Sequence, residues 1–139
     1  MSEQPDPAHR SDLDQLLALF DLEQREDDVY IGEHPSAVGP RTFGGQLLSQ
    51  GIVAAGRSVE RDTPVHALHA HFIRAGDVSM PIEYHVHRTR DARSFANRQV
   101  TAIQEGDEIF TMLVAFQDAG KGLEHAVEIP EVPYPEDLP

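Results

Sequence analysis

The sequence predicts an α+β fold in which one antiparallel sheet wraps a single long helix. Helix-period apolar spacing is confined to residues before 60, four runs of period-two alternation follow it, and 139 residues suffice for one core. Helices first and strands afterwards is the order of a segregated α+β domain rather than of alternating βαβ units.

Residues 1–10 are polar and acidic and are expected to be disordered. Ser11 with Asp14 then forms a capping box for a short helix, whose Leu13, Leu16, Leu17 and Phe20 fall at i, i+3, i+4 and i+7 and should pack on that stripe. Val29 and Ile31 mark a first strand, and HPSAVGP (34–40) reads as a loop with turn residues at both ends. A longer helix begins near Phe43. Over 43–59 it gathers Leu47, Leu48, Ile52, Ala55 and Val59 on one side, while Gly51, Ala54 and Gly56 are small enough for a sheet to approach closely. Strand-like runs follow at 65–74, 81–90, 94–104 and 108–117, the last two joined by a hairpin turn at Glu105-Gly106-Asp107. Residues 11–117 thus make one domain. The tail, 118–139, ends in VEIPEVPYPEDLP, whose four prolines and four acids in thirteen residues predict an extended, solvated segment.

Composition removes several function classes. The net charge of −13 lies at the two ends: 1–36 holds ten acids against Arg10 and Arg25 (−8), and 118–139 holds six against Lys121 (−5). Residues 37–117 balance eight acids with eight arginines. With no basic face or aromatic platform, nucleic-acid binding is not expected, and the acidic ends read as solvated surface. The absence of cysteine removes disulfides and thiolate chemistry and makes a reducing, cytoplasmic setting the natural one. No apolar run approaches membrane-spanning length, so no membrane partner is expected.

Four segments in fixed order carry a resemblance: RTFGGQLLSQ (41–50), VHALHAHFIRAGD (65–77), RTRDARSFANRQVTAIQ (88–104) and IFTMLVAFQ (109–117). With the DLEQ stretch at Asp21 they resemble the N-terminal repeat of the type II acyl-CoA thioesterases, bacterial enzymes with two tandem hot-dog domains. The resemblance covers about residues 12–117. It implies a hot-dog fold, an acyl-CoA substrate, hydrolysis to free fatty acid and CoA, and no cofactor. It also implies that the catalytic residues belong to a second repeat that this chain lacks, and that 118–139 corresponds to the inter-repeat linker, as in a split gene or a fragment. A hot-dog unit works in pairs, so the implied partner is a second copy, or a separate second hot-dog repeat.

Thioester hydrolysis needs an activated water and donors aimed at the carbonyl oxygen where charge develops. Gly44, Gly45 and Gln46 open the long helix, where backbone N–H groups and the helix dipole favour an oxyanion; the glycines equally suit a tight turn and close packing. The resemblance implies an Asp, a Thr or Ser, and a Gln around the water. Gln117 falls at the glutamine position and Thr89 near the hydroxyl position, but the aspartate position falls near Ala67, which can neither accept a proton nor orient water. A catalytically incomplete half that binds acyl-CoA or serves pairing is therefore the second reading. His66 is a candidate substitute base, with His69 and His71 on the opposite face of its strand and His85 and His87 forming a similar pair. A His-x-His pair on a strand is also a zinc arrangement, but no neighbouring Cys, Asp or Glu completes one, and no metal is expected. Arg88, Arg90, Arg93 and Arg98 surround the RTRDARSF turn, in which Ala92 takes the place the family usually gives to glycine. With Ser94 they could grip CoA phosphate, with Arg93 and Ser94 as the contacts, or they could pair with local acids along a solvated strand edge.

Overall fold

The computed structural model describes residues 12–35, 39–60 and 62–138. The expected disorder of 1–10 and the Ser11 cap lie outside them. In chain order the elements are helix α1 (Asp12–Leu19), strands β1 (Glu23–Glu26) and β2 (Val29–Gly32), helix α2 (Gly44–Arg57), and strands β3 (Val65–Phe72), β4 (Ile82–Asp91), β5 (Phe95–Gln104) and β6 (Asp107–Gln117). All six strands join one antiparallel sheet in the order β1-β2-β4-β5-β6-β3. The four long strands lie within two residues of the runs expected from alternation. The turn between β5 and β6 carries positive φ at Glu105 (50°) and Gly106 (84°), as a two-residue hairpin requires.

Helix α2 lies across one face of the sheet. Leu47, Gln50, Gly51, Ala54 and Ala55 are its buried contact row. They pack on Tyr84 and Val86 of β4, Ala96, Val100 and Ala102 of β5, and Phe110, Met112 and Val114 of β6. Gly51 is a packing glycine: a Cβ there would sit 2.7 Å from Met112 Cε. Gly56, expected to serve the same purpose, has open space beside it. Leu48, Ile52 and Val59 are partly buried at the rim of the core.

Two polar anchors fix the helix. At its middle, buried Gln50 donates to Leu19 O (2.9 Å) and Glu33 O (3.0 Å) and accepts from Tyr84 Oη (2.8 Å). Burial pushes the Tyr84 phenol well up, so it keeps the proton it donates. Beyond the helix end, Arg98 of β5, 1 % exposed, donates to Ser58 Oγ (2.7 Å), Ser58 O (3.0 Å), Arg90 O (3.1 Å), Asn97 O (2.9 Å) and Asp91 Oδ1 (2.7 Å). All of its bonding capacity on that side of the sheet goes into tying the helix terminus to the β4–β5 hairpin.

Three expectations need correction. Strand β1 precedes the expected first strand; its four residues, Glu23 to Glu26, are all exposed, so no apolar alternation announces it, and only backbone pairing with β2 defines it. The apolar stripe of α1 does not pack on the core: Leu13, Leu16 and Leu17 are 62 %, 48 % and 56 % exposed. Arg98, expected either to grip phosphate or to lie on a solvated strand edge, instead points into the core, while Arg88 pairs with the local acid Asp28 at 2.7 Å and 3.0 Å, in line with the second of those readings. That ion pair and its hydrogen bond raise the Arg88 pKa. Ala92 carries no glycine-type strain: among the described residues only Asp28 and Glu105 are non-glycine positions with positive φ. The tail from 118 to 138 is almost without regular structure and exposed, with a single short 3-10 turn at Pro135–Asp137, as its prolines imply.

Candidate active site

The sequence-chosen residues fall into two groups at opposite ends of the sheet. The first surrounds the start of α2. Phe43 is the N-cap residue in extended conformation and offers no side-chain cap, so the first helical N–H groups, those of Gly44 and Gly45, have no intrahelical acceptor. The N–H of Gln46 differs, since it donates to Phe43 O at 3.0 Å. The Gln46 side chain is also committed: it is 7 % exposed and donates to Glu33 O (3.0 Å), with His34 Nδ1 at 3.2 Å. Gln46 thus holds the 33–34 loop against the helix, with its side-chain amide committed within the fold.

Gly44 and Thr42, with Leu47, border a surface cavity of about 400 Å³ closed on its far side by Phe72, Arg74 and Gly76. Thr42 N donates to Gly76 O at 3.0 Å, joining two segments far apart in sequence. A Cβ at Gly76 would meet Thr42 Oγ1 at 2.5 Å, so that approach requires glycine. Arg41 also lines the cavity, and Arg74 does so while donating to Glu108 O at 2.6 Å. Apolar wall, helix-start donors and two guanidinium groups together suit an acyl thioester with a phosphate-bearing carrier. Sequence reasoning missed Arg41, Phe72 and Arg74; the signal was their adjacency to the GG and RAGD motifs.

The second group lies at the other end. Gln117 N donates to Pro64 O at 3.1 Å, and Gln117 with His66 lines a cavity of about 350 Å³. His66 sits at a bulge where β3 shifts register against β6, between the pairs Val65–Phe116 and Ala67–Ala115. Thr89 occupies the matching irregularity in β4, between Arg88 and Arg90. Thr89 and Ala67 line a cavity of about 370 Å³ on the sheet face away from α2, with Asn97 and Leu113 in its lining. Arg93 and Ser94 stand in the β4–β5 hairpin at this same end, Ser94 O accepting from Asp118 N at 3.1 Å. A 14-residue helix spans about 21 Å, and α2 runs from the first group to the Ser58–Arg98 anchor beside the second. Within one chain, then, Gly44 and Gly45 do not meet Gln117, Thr89, His66 or Arg93. Among the described residues no three His, Cys, Asp or Glu side chains gather as a metal site, and no helix is long and apolar enough to cross a membrane.

Known proteins share this architecture. Acyl-coenzyme A thioesterase 8 of Homo sapiens is 42% identical over 124 residues, covering 88% of this chain and 39% of the relative. The crystal structure of an acyl-CoA thioesterase II, TesB2, from Mycobacterium marinum superposes with a TM-score of 0.74 at 40% identity, over 86% of this chain and 44% of that one. A hot-dog protein of unknown function from Alicyclobacillus acidocaldarius gives a TM-score of 0.70 at 23% identity, over 88% of this chain and 47% of that one, which shows the fold alone. The chain therefore spans less than half the length of these relatives. Residues 33–117 match the acyl-CoA thioesterase N-terminal domain family. With a six-stranded antiparallel sheet around helix α2 and that match over most of its length, the chain belongs to the acyl-CoA thioesterase N-terminal domain family and has the hot-dog fold.

Proposed function

We propose that this chain is an acyl-CoA thioesterase half-unit, acting on fatty acyl-CoA in the cytoplasm, whose thioester site is completed by a second hot-dog unit, in the first instance a second copy of itself. The observation that carries this reading is the separation of the two groups along an edge strand. β3 pairs only with β6 among the described strands, so its other edge presents a full row of backbone donors and acceptors. Antiparallel pairing of β3 with β3 of a second copy, about a two-fold axis near residues 69–70, sets the Phe72 end of one strand beside the Val65 end of the other. Gly44 and Gly45 of one unit then lie near Gln117 and His66 of its partner, and an acyl-CoA bound across the junction meets both groups. Leu68 and Phe72, 42 % and 57 % exposed, gain cover in that arrangement.

In that composite site the Gly44 and Gly45 N–H groups hold the thioester carbonyl oxygen, Gln117 orients water, and Thr89 with position 67 meets that water at the junction from the outer-face cavity they share. Proton acceptance is the missing role, because Ala67 stands where the resemblance implies aspartate. The incomplete-half reading is thus favoured for catalysis by the chain alone, while acyl-CoA contact is retained. Gly45→Val tests the contact. A Cβ at Gly45 meets only the ring of Phe43, which is 70 % exposed and can swing away, so the variant keeps its fold. We expect at least tenfold weaker binding of a non-hydrolysable acyl-CoA analogue by calorimetry, because the branched side chain covers the N–H donors. Unchanged affinity in the folded variant would assign the glycines to packing alone.

A further inference from the structure

On the sheet face away from α2, β3 displays His69 and His71 side by side. Their Nε2 atoms are 2.9 Å apart, their rings meet edge-on with centroids at 4.6 Å, and both side chains are exposed. Two imidazole nitrogens at that separation are already converged on a common point. Ligands at 2.0–2.1 Å from an ion subtend 2.9 Å at about 90°, the cis angle of a tetragonal Cu2+ or Ni2+ site; tetrahedral Zn2+ asks for about 3.3 Å, a small opening for exposed rings.

Two ligands make a weak site, and among the described residues of one chain nothing completes it. The edge position of β3 changes that count. Residues 67, 69 and 71 share the outer face, paired with Ala115, Leu113 and Thr111. A second β3 that continues the sheet antiparallel, with both helices on one side, must set odd-numbered residues of one strand opposite odd-numbered residues of the other. A two-fold axis at residue 69, 70 or 71 then places at least one histidine directly opposite a histidine, at Cβ separations of about 5 Å, with the remaining pair on the diagonal. His85 and His87 share this face, but β5 and β6 stand between them and β3.

We infer that His69 and His71 form half of a divalent transition-metal site, completed by the same two histidines of a second copy across paired β3 strands. The inference rests on the pairing described under Proposed function. Bound metal would lock the junction on the sheet face away from α2, beside the cavity that His69 shares with Ala67 and Thr89, since ligation by both copies ties association to metal occupancy.

The test uses the full chain without an affinity tag, stripped with EDTA, titrated with NiCl2 and separately with ZnCl2 by calorimetry, with mass by light scattering in EDTA and in metal. The expected result is saturable uptake of one ion per two chains in the micromolar range, weakened at least tenfold by His71→Ala and unchanged by His87→Ala, which is the control on the same face. His71→Ala alters an exposed residue, and its circular dichroism should match the parent. Uptake insensitive to His71→Ala, or one ion per single chain, would overturn the shared site. A dimer in EDTA that takes up no ion overturns the metal site and leaves the pairing intact; a single-chain mass with or without metal overturns both.

Discussion

The unmodified chain is expected to hydrolyse a long-chain acyl-CoA about 10²–10⁴-fold more slowly than a two-repeat relative measured alongside it, the range that general-base catalysis supplies. Thr89 and Gln117 can orient water but cannot take its proton at neutral pH, and Ala67 contributes a methyl group. Ala67→Asp is the corresponding gain. Position 67 is exposed and lines the same cavity of about 370 Å³ as Thr89, so a carboxylate enters solvent-accessible space without disturbing the core. We expect turnover to rise by about 10²-fold, toward the lower end of the general-base range. His66→Ala and His69→Ala should leave the basal rate within a factor of about three, since among the described residues His69 meets His71 and neither His66 nor His69 pairs with a carboxylate that would prepare it as a base. Robust hydrolysis by the unmodified chain that vanishes in either histidine variant would move the chemistry onto β3 and refute the assignment of Ala67 as the missing base.

The largest expected effect on stability is at Arg98. Arg98→Met removes a guanidinium that is 1 % exposed and leaves Ser58 O, Arg90 O and Asn97 O without their donor. Removing one partner of such a buried set typically costs about 3–5 kcal/mol, a large part of a small domain's stability. Asp91 is 58 % exposed on its side chain, so its share of the loss is screened, and the lower end of that range is the expectation. Arg98→Lys should recover little, because an ammonium cannot reproduce the planar fork that reaches Ser58 and Asp91 together. Arg90→Ala, at an exposed side chain in the same run, should stay within about 0.5 kcal/mol of the parent in urea unfolding. Equal losses at 90 and 98 would mean that the helix anchor described here does not hold the hairpin.

Arg98 also shows how much of this molecule is legible in the sequence. Ala96, Val100 and Ala102 alternate toward the core, and the same period places residue 98 among them; four arginines within eleven residues drew attention to charge instead. The long strands and α2 were legible because their burial follows periods of two and 3.6. Strand β1 was not, since an exposed Glu-Gln-Arg-Glu edge is defined by backbone pairing that leaves no apolar trace. For α1 the period was real, but amphipathicity records only that a stripe exists, not that this chain covers it.

The site was half legible for the same kind of reason. Glycines at a helix start and a glutamine at a strand end are local features, and Gly44, Gly45 and Gln117 stand where they were expected. That Gln46 turns inward to Glu33 and His34, and that Thr42 meets Gly76 beside Phe72, depends on contacts between segments distant in sequence. The separation of the two groups by the length of α2 could be seen only once the register of β3 against β6 was known.

That separation makes association the central claim, and mass in solution tests it most directly. Light scattering of the chain at micromolar concentration should give twice the 15.4 kDa of one copy, with the dimer persisting on dilution to the low micromolar range. A mass of 15.4 kDa under those conditions would mean that β3 stays unpaired and that the helix-start donors and Gln117 never share a substrate.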